Sequence, residues 1–157
     1  MNIDDEHKII KLVTDYMCWW DRRAQNKDFI SQVDENVVVT HKLLKRNGSP
    51  DIINVYNGRD ALVAFNSPEV DCIHSTGNYV FKSIDDHNAE VSAYFRAYFR
   101  NGNLLAHGED SFHVQKIDRE WRMMTIIIGH YWFPHKKLYW LYRLTRAEIF
   151  AGTNNAL

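Results

Sequence analysis

The chain has 157 residues, of which 45% are apolar and 13% aromatic, a composition typical of one packed domain rather than a disordered tail. Its formal net charge of −1 removes the usual electrostatic basis for binding nucleic acid or an anionic membrane. The N-terminus is acidic where a signal peptide is basic, and no apolar run approaches the roughly 20 residues that span a bilayer. We therefore expect a cytoplasmic protein, in which Cys18 and Cys72 are reduced, buried thiols because neither belongs to a CxxC pair.

The first half of the chain predicts helices and short strands. Apolar residues recur at three- and four-residue steps from about residue 4 to 20, which indicates an amphipathic helix. Its apolar face carries Ile9, Ile10, Val13, Tyr16, Met17 and Trp20. The next predicted elements are a short helix around 28–33, strands at 37–40 and 52–56, and a helix at 61–65.

The second half predicts a sheet followed by a helix. Short turn signals separate long β-type segments, so consecutive strands must be antiparallel, and Asn101-Gly102 is the preferred pair for a type I′ hairpin. The predicted strands are 70–84, 88–100, 103–117 and 121–133, and an aromatic-rich amphipathic helix is predicted at 136–150.

Helices followed by a long, twisted antiparallel sheet predict an α+β fold. We expect a single domain over residues 1–157, with a core at about 5–133 and the helix at 136–150 as an extension. A curled sheet has a concave face, and helices across it enclose a cone-shaped pocket of the kind that holds small ligands.

Three polar residues stand in otherwise apolar segments: Tyr16, Asp21 and His74. A phenol, a carboxylate and an imidazole in one apolar pocket can transfer protons at neutral pH without a metal or cofactor. If the first helix continued, Asp21 would point about 140° away from Tyr16, so the two meet only if the chain turns at 19–21. The natural partner of a buried Asp21 is His74.

Each of the three also has a structural interpretation. Tyr16 is then a core tyrosine, Asp21 a helix end or a surface partner of Arg22 or Arg23, and His74 a sheet histidine bonded to Asn78 or Ser75. Strand alternation puts Cys72, His74 and Thr76 on one face without showing which face is concave.

The other histidines offer weaker candidates. His107 and His130 are possible pocket residues, whereas His7, His41, His87 and His135 are expected to be exposed. There is no HExxH motif, Cys/His cluster or nucleotide-binding motif, so we predict neither a metal site nor a cofactor. The full set of predicted substrate-binding residues is Trp20, Tyr56, Asn78, Tyr98, His107 and His130.

Several short motifs, in order and spacing, resemble the SnoaL-like branch of the nuclear-transport-factor-2-like (NTF2-like) superfamily over about residues 5–133. They are Tyr16-x4-Asp21, Phe29, Val37–Val39, Gly58-Arg59-Asp60-Ala61-Leu62, His74-x3-Asn78, Ala93-Tyr94-Phe95, Gly108 and Trp121-Arg122. The resemblance implies a cone-shaped fold, often dimeric or trimeric, whose members are dehydratases, isomerases, polyketide cyclases and non-catalytic binding or scaffold proteins.

The resemblance extends to bile-acid and scytalone-type dehydratases, whose catalytic tyrosine, aspartate and histidine correspond to Tyr16, Asp21 and His74. Those enzymes carry a further acid or histidine on the next strand, where this chain has Arg96-Ala97-Tyr98. Ketosteroid isomerases need a carboxylate base just after the first strand, where Thr40-His41 stand here, so an isomerase of that type is disfavoured.

These observations predict a cofactor-independent lyase or isomerase, most like a dehydratase, with an apolar cyclic substrate. Two alternatives stay open: a non-catalytic small-molecule-binding or assembly protein on the same scaffold, and a polyketide-type cyclase. A homodimer or homotrimer is expected in either case, on the strength of the resemblance.

Overall fold

The computed structural model describes residues 2–22, 27–44, 50–65, 72–83 and 85–132. These residues form three helices and six strands, close to the segments expected from the sequence. In chain order they are α1 (Ile3–Arg22), α2 (Lys27–Ser31), β1 (Val33–Leu44), β2 (Pro50–Asn57), α3 (Arg59–Phe65), β3 (Cys72–Ser83), β4 (Asn88–Phe99), β5 (Leu104–Ile117) and β6 (Glu120–Trp132).

The six described strands form one curled, unclosed sheet in the order β2-β1-β6-β5-β4-β3. Strands β3 to β6 are an antiparallel meander, as their short connections predict, and β1 pairs antiparallel with β2 and parallel with β6. Helices pack on this sheet, which confirms the predicted α+β cone. Because β3 is an edge strand, part of its backbone is available to groups outside the sheet.

The hairpin turns differ from expectation in one respect. At the β4–β5 turn, Gly102 has a φ of 85° and donates to the carbonyl of Phe99 over 2.9 Å, whereas Asn101 keeps a negative φ. A type I′ turn needs positive φ at both central residues, so the prediction for Asn101-Gly102 was wrong. That backbone geometry occurs instead at Asp118 and Arg119, with φ values of 51° and 70°, between β5 and β6.

The core lies between α1 and one face of the sheet. Alternate residues of β4 and β5 are buried, as expected for strands with one covered face. The buried face of α1 differs slightly from the predicted one, since Leu12 and Trp19 are buried while Ile10 and Trp20 are half-buried. Aromatic rings fill the region below the helix, where Phe112 lies 5.3 Å from Tyr16 between ring centres.

The start of α1 is tied to the sheet by one buried carboxylate. Asn2 Oδ1 accepts the Asp5 backbone N–H at 2.9 Å, which caps the helix. Asp5 in turn accepts from Lys116 Nζ at 2.7 Å and from the indole Nε1 of Trp121 at 3.0 Å. The hydrogen bond from Lys116, followed by that from Trp121, lowers the pKa of Asp5 below its usual 3.8.

Asp5→Ala is expected to lower the free energy of unfolding by about 1–3 kcal/mol, because it leaves the buried indole N–H of Trp121 without its acceptor. Since folding lowers this pKa, the stabilisation is present above pH 3.8 and is lost as the pH falls through the folded value. Urea unfolding at pH 7 and pH 3 measures both effects. The exposed neighbour Asp4, changed to alanine, is the control, and an equal effect of the two changes would contradict this role for Asp5.

The helix predicted at 136–150 lies outside the described residues, so the extension and the single-domain organisation stay predictions. Among the described helices, none combines the length and the apolar character that crossing a membrane requires.

Candidate active site

Asp21 and His74 form a hydrogen-bonded pair between the end of α1 and the start of β3. The imidazole Nδ1 of His74 lies 2.6 Å from Asp21 Oδ1, and the two side chains are 15% and 21% exposed. A carboxylate only accepts hydrogen bonds, so Nδ1 carries the proton and Nε2 is left as the basic nitrogen of the neutral ring. The pair is therefore sheltered, oriented and able to accept a proton.

The backbone explains why this pair is held in one arrangement. The His74 backbone N–H also donates to both Asp21 oxygens, at 2.9 and 3.1 Å. His74 pairs with Ala97 on one side only, because β3 is an edge strand, and Asp21 occupies the other side. One carboxylate thus fixes both the main chain and the ring of His74, which limits the ring's rotation.

The expected turn at residues 19–21 is absent, because α1 continues as a regular helix to Arg22. Asp21 reaches His74 from the last turn of that helix, so no break in the helix is needed. Tyr16 is separated from Asp21 by about 140° around the helix axis. Its ring is 1% exposed and packs among Trp20, Phe29 and Phe112, in the aromatic core.

Two buried polar residues of the sheet were missed by the sequence reasoning. His41, expected to be exposed, is 0% exposed, and Asp110, which was not considered, is 3% exposed. The signal was strand alternation: His41 shares parity with the buried Val37 and Val39, as Asp110 does with Phe112. Asp110 accepts the Gly129 backbone N–H at 3.3 Å, and burial raises the pKa of its carboxyl well above the usual value, which favours the neutral acid.

The ring of His130 packs against His41 and Phe95, and Phe95 in turn faces His74. The ring centre of His130 is 4.6 Å from that of His41 and 5.4 Å from that of Phe95, and Phe95 is 6.1 Å from His74. Burial, followed by repulsion from His74 and His107, lowers the pKa of His130 from 6.5 to about 3. His130 is therefore a neutral imidazole at physiological pH.

His130→Gln is expected to make stability less sensitive to acid. The native state holds His130 neutral, so its contribution is complete above about pH 6.5 and is lost as the pH falls towards 3. Over that range the free energy of unfolding of the wild type should fall by up to about 1.4 kcal/mol per pH unit more than that of the variant. Urea unfolding between pH 7 and 5 measures the two slopes, with the exposed His7 changed to Gln as control; parallel slopes for wild type and His130→Gln would contradict the assignment.

The predicted substrate-binding residues fall in different places. Tyr56 is buried, at 8% exposure, and Trp20 is half-buried with its ring centre 6.0 Å from that of Tyr16. Asn78 is exposed with a φ of 53°, where an irregularity in the β3–β4 pairing interrupts strand alternation, so it does not share a face with His74.

His107 and Tyr98 belong to the sheet face opposite the buried core. The ring Nδ1 of His107 lies 3.1 Å from the hydroxyl of Tyr94. Tyr94 faces away from the core because its neighbours on the strand, Ala93 and Phe95, are buried. Tyr98 pairs with Ile73, which is 44% exposed. Of the predicted set, His130 is the residue whose ring is linked to His74 through a shared neighbour, Phe95.

One further side chain joins the Asp21–His74 pair. Cys72 precedes His74 by two residues on β3, and its sulfur, a carboxylate oxygen of Asp21 and an imidazole nitrogen of His74 lie within 4.8 Å of one another. Thiolate, imidazole and carboxylate are ligands that zinc accepts in proteins.

No family model matches the chain, and no curated protein sequence does. Its fold is similar to that of solved structures at low sequence identity. A proposed scytalone dehydratase from Novosphingobium aromaticivorans has a TM-score of 0.66 and 16% identity over 83% of this chain and 87% of that chain. A type 3 hexachlorocyclohexane dehydrochlorinase from Novosphingobium barchaimii has a TM-score of 0.67 and 16% identity over 83% and 89%.

An NTF2-like protein with a cystatin-like fold, also from Novosphingobium aromaticivorans, is similar with a TM-score of 0.63 and 12% identity, over 82% of each chain. Similarity at this level of identity shows a common fold. The chain therefore has the NTF2-like, cystatin-like cone.

Proposed function

We propose that this chain is a cofactor-independent lyase of the SnoaL-like branch, which eliminates water or a comparable leaving group from a cyclic, apolar small molecule. The observation that carries the proposal is the 2.6 Å hydrogen bond between the half-buried side chains of Asp21 and His74. The carboxylate fixes the orientation of the imidazole and holds a proton on Nδ1, so Nε2 is the basic atom of the neutral ring.

The proposed reaction is a β-elimination. Nε2 of His74 removes a proton from a substrate carbon next to an activating carbonyl, and the electrons of that C–H bond form the new double bond. The bond from the adjacent carbon to the leaving hydroxyl breaks, and the imidazolium returns the proton to that hydroxyl as it departs. Substrate becomes alkene and water, and His74 ends the cycle neutral.

Asp21 supports both steps. Its carboxylate keeps the proton on Nδ1 and stabilises the imidazolium that forms, and the negative end of the α1 dipole adds to that effect. In the same scheme Tyr16 hydrogen-bonds the developing oxyanion or the leaving group. The ring of Tyr16 lies in the aromatic core, on another face of α1 than Asp21. A role for its hydroxyl in the reaction is therefore a prediction separate from that for the Asp21–His74 pair.

The surroundings of the pair suit an apolar ring. Phe95 lies 6.1 Å from the imidazole of His74, and the neutral His130 lies beyond it. Two of the similar structures are named as a dehydratase and a dehydrochlorinase, and both names denote an elimination. The leaving group here is proposed to be hydroxyl, with chloride as the variant to be tested beside it.

The direct experiment is to incubate the protein in D2O with cyclic β-hydroxy ketones and with chlorinated cyclohexanes, without added cofactor, and to follow the products by mass spectrometry. We expect loss of water or HCl and, for the β-hydroxy ketones, exchange of the C–H next to the carbonyl for deuterium. The Asp21→Asn/His74→Ala double variant is the control. Absence of both turnover and exchange across the panel would contradict the proposal.

A second candidate function is a non-catalytic small-molecule-binding or assembly protein. The strand that pairs with His74, β4, has Arg96-Ala97-Tyr98 where the dehydratases that the sequence resembles carry a further acid or histidine. In a binder, joint replacement of Tyr16, Asp21 and His74 should preserve ligand affinity within a few-fold, whereas turnover should vanish in a lyase. A polyketide-type cyclase would use the same acid–base groups on a different substrate.

We also propose a homodimer or homotrimer, in which part of the exposed apolar surface of β3 is covered. Ile73 and Val80 on this strand are 44% and 63% exposed. Sedimentation of the purified chain tests this part of the proposal separately.

A further inference from the structure

We propose that Asp21, Cys72 and His74 together form a binding site for a zinc ion, which would take the place of the proton that Asp21 and His74 share. Binding itself is independent of the proposed function. Only its effect on activity, an inhibition, rests on that function.

The strand and helix place three different ligand types at one point. Cys72 and His74 are two residues apart on β3, so their side chains leave the same face of the strand. Asp21 reaches that point from the last turn of α1. Sulfur, nitrogen and oxygen donors together form a mixed ligand set that favours binding of zinc over magnesium or calcium.

The distances need only small side-chain movements. The three donor atoms lie within 4.8 Å of one another, and tetrahedral zinc with bonds of about 2.0–2.3 Å holds its ligand atoms about 3.3–3.6 Å apart. A side-chain rotation that moves the Cys72 sulfur by about 1 Å towards the Asp21–His74 pair therefore brings the three donor atoms to the spacing that zinc requires. The Asp21–His74 contact of 2.6 Å is a hydrogen-bond length, so it must open by a similar amount as zinc replaces the proton.

The environment is suitable for a metal and accessible to it. Asp21, Cys72 and His74 are each half-buried, which limits competition from water while leaving a path for the ion. The backbone N–H of His74 donates to Asp21 at 2.9 Å and can keep that carboxylate in place when zinc binds. Three protein ligands leave the fourth zinc position for water.

A zinc ion bound in this way would lie on Nδ1 of His74 and on the Asp21 carboxylate. The neutral ring would then carry its proton on Nε2, the nitrogen that the elimination needs as a base. Zinc would therefore act as an inhibitor and not as a cofactor. Because zinc binds the thiolate and displaces the proton of the Cys72 thiol, its affinity should increase with pH.

Cobalt(II) is the spectroscopic probe. Titration of the purified chain with CoCl2 is expected to give a thiolate-to-cobalt absorption band in the near-ultraviolet and strong visible bands of tetrahedral cobalt, which ZnCl2 then abolishes and MgCl2 does not. Cys72→Ser and, as a second variant, Cys72→Ala should remove the thiolate band. They should also weaken zinc binding, measured by competition with a chromogenic chelator, by more than about tenfold.

The matched control is Cys18→Ser, because Cys18 is a half-buried cysteine outside the three-residue cluster and its change leaves one thiol in the chain. It should retain the bands, and His74→Ala should lose the tetrahedral spectrum. Absence of a thiolate band in the wild type, or its persistence in a folded Cys72 variant, would overturn the proposal. Elimination assays with and without ZnCl2 test the function independently of metal binding. A protein that binds cobalt through Cys72 but catalyses no elimination would refute the proposed function and support the metal site.

Discussion

His74→Ala is expected to lower kcat for the elimination by about 10²–10⁴-fold, the range over which a positioned general acid–base group accelerates a reaction. The alanine removes the imidazole that the Asp21 carboxylate orients, and with it both proton transfers. Steady-state kinetics on the best substrate of the panel measures the loss. The fold should remain, because His74 lies on an edge strand and is half-buried, and circular dichroism checks it.

Two further variants sharpen this test. Asp21→Asn keeps the size of the side chain and removes its charge, so it should lower kcat by a similar factor while the native spectrum is retained. His87→Ala, an exposed histidine at the turn before β4, is the control and should change kcat less than twofold. A His74→Ala enzyme with full turnover would contradict the assignment of the base.

Gly108→Ala is expected to have the largest effect on stability. An added Cβ would lie 1.7 Å from the carbonyl oxygen of Gly129 and 2.9 Å from Cε1 of Phe95, and the first of these atoms is backbone. Strands β5 and β6 must separate to admit the methyl group, at the point where their pairing is already irregular. We expect a loss of about 3–5 kcal/mol, or failure to fold, measured by urea unfolding.

Gly77→Ala is the matched control for this change. Gly77 also lies on a strand of the same sheet, but an added Cβ meets nothing within 4 Å. Its unfolding free energy should change by less than about 0.5 kcal/mol. Equal effects at the two glycines would show that the close approach of β5 and β6 does not limit the side chain at position 108.

Local signals in the sequence were sufficient to predict most of the helices and strands of the fold. The periodicity of α1 and the turn residues between β3, β4, β5 and β6 predicted the elements and their antiparallel order, because both depend on neighbours in the chain. The type I′ turn was placed at the wrong hairpin. Asn101-Gly102 has the preferred composition, but the number of residues between the paired strands decides the turn type, and that count depends on register.

The site was only partly accessible from the sequence. Asp21 was paired with His74 because a buried carboxylate needs a partner, although the chain turn thought necessary does not occur. His41 and Asp110 were missed because strand parity was not applied to these two residues. The proximity of Cys72 to Asp21 depends on how α1 crosses the edge of the sheet, a long-range feature that spacing along the chain does not contain.

The protonation of His74 provides the most direct test of the central claim. In protein labelled with 15N-histidine, long-range 1H–15N spectra distinguish the two neutral tautomers, and the His74→Ala spectrum identifies the signals of this ring. We predict a proton on Nδ1 and a bare, basic Nε2, with the preference lost in Asp21→Asn. A neutral ring protonated on Nε2, or signals unchanged by Asp21→Asn, would contradict an imidazole prepared by the carboxylate at the end of α1.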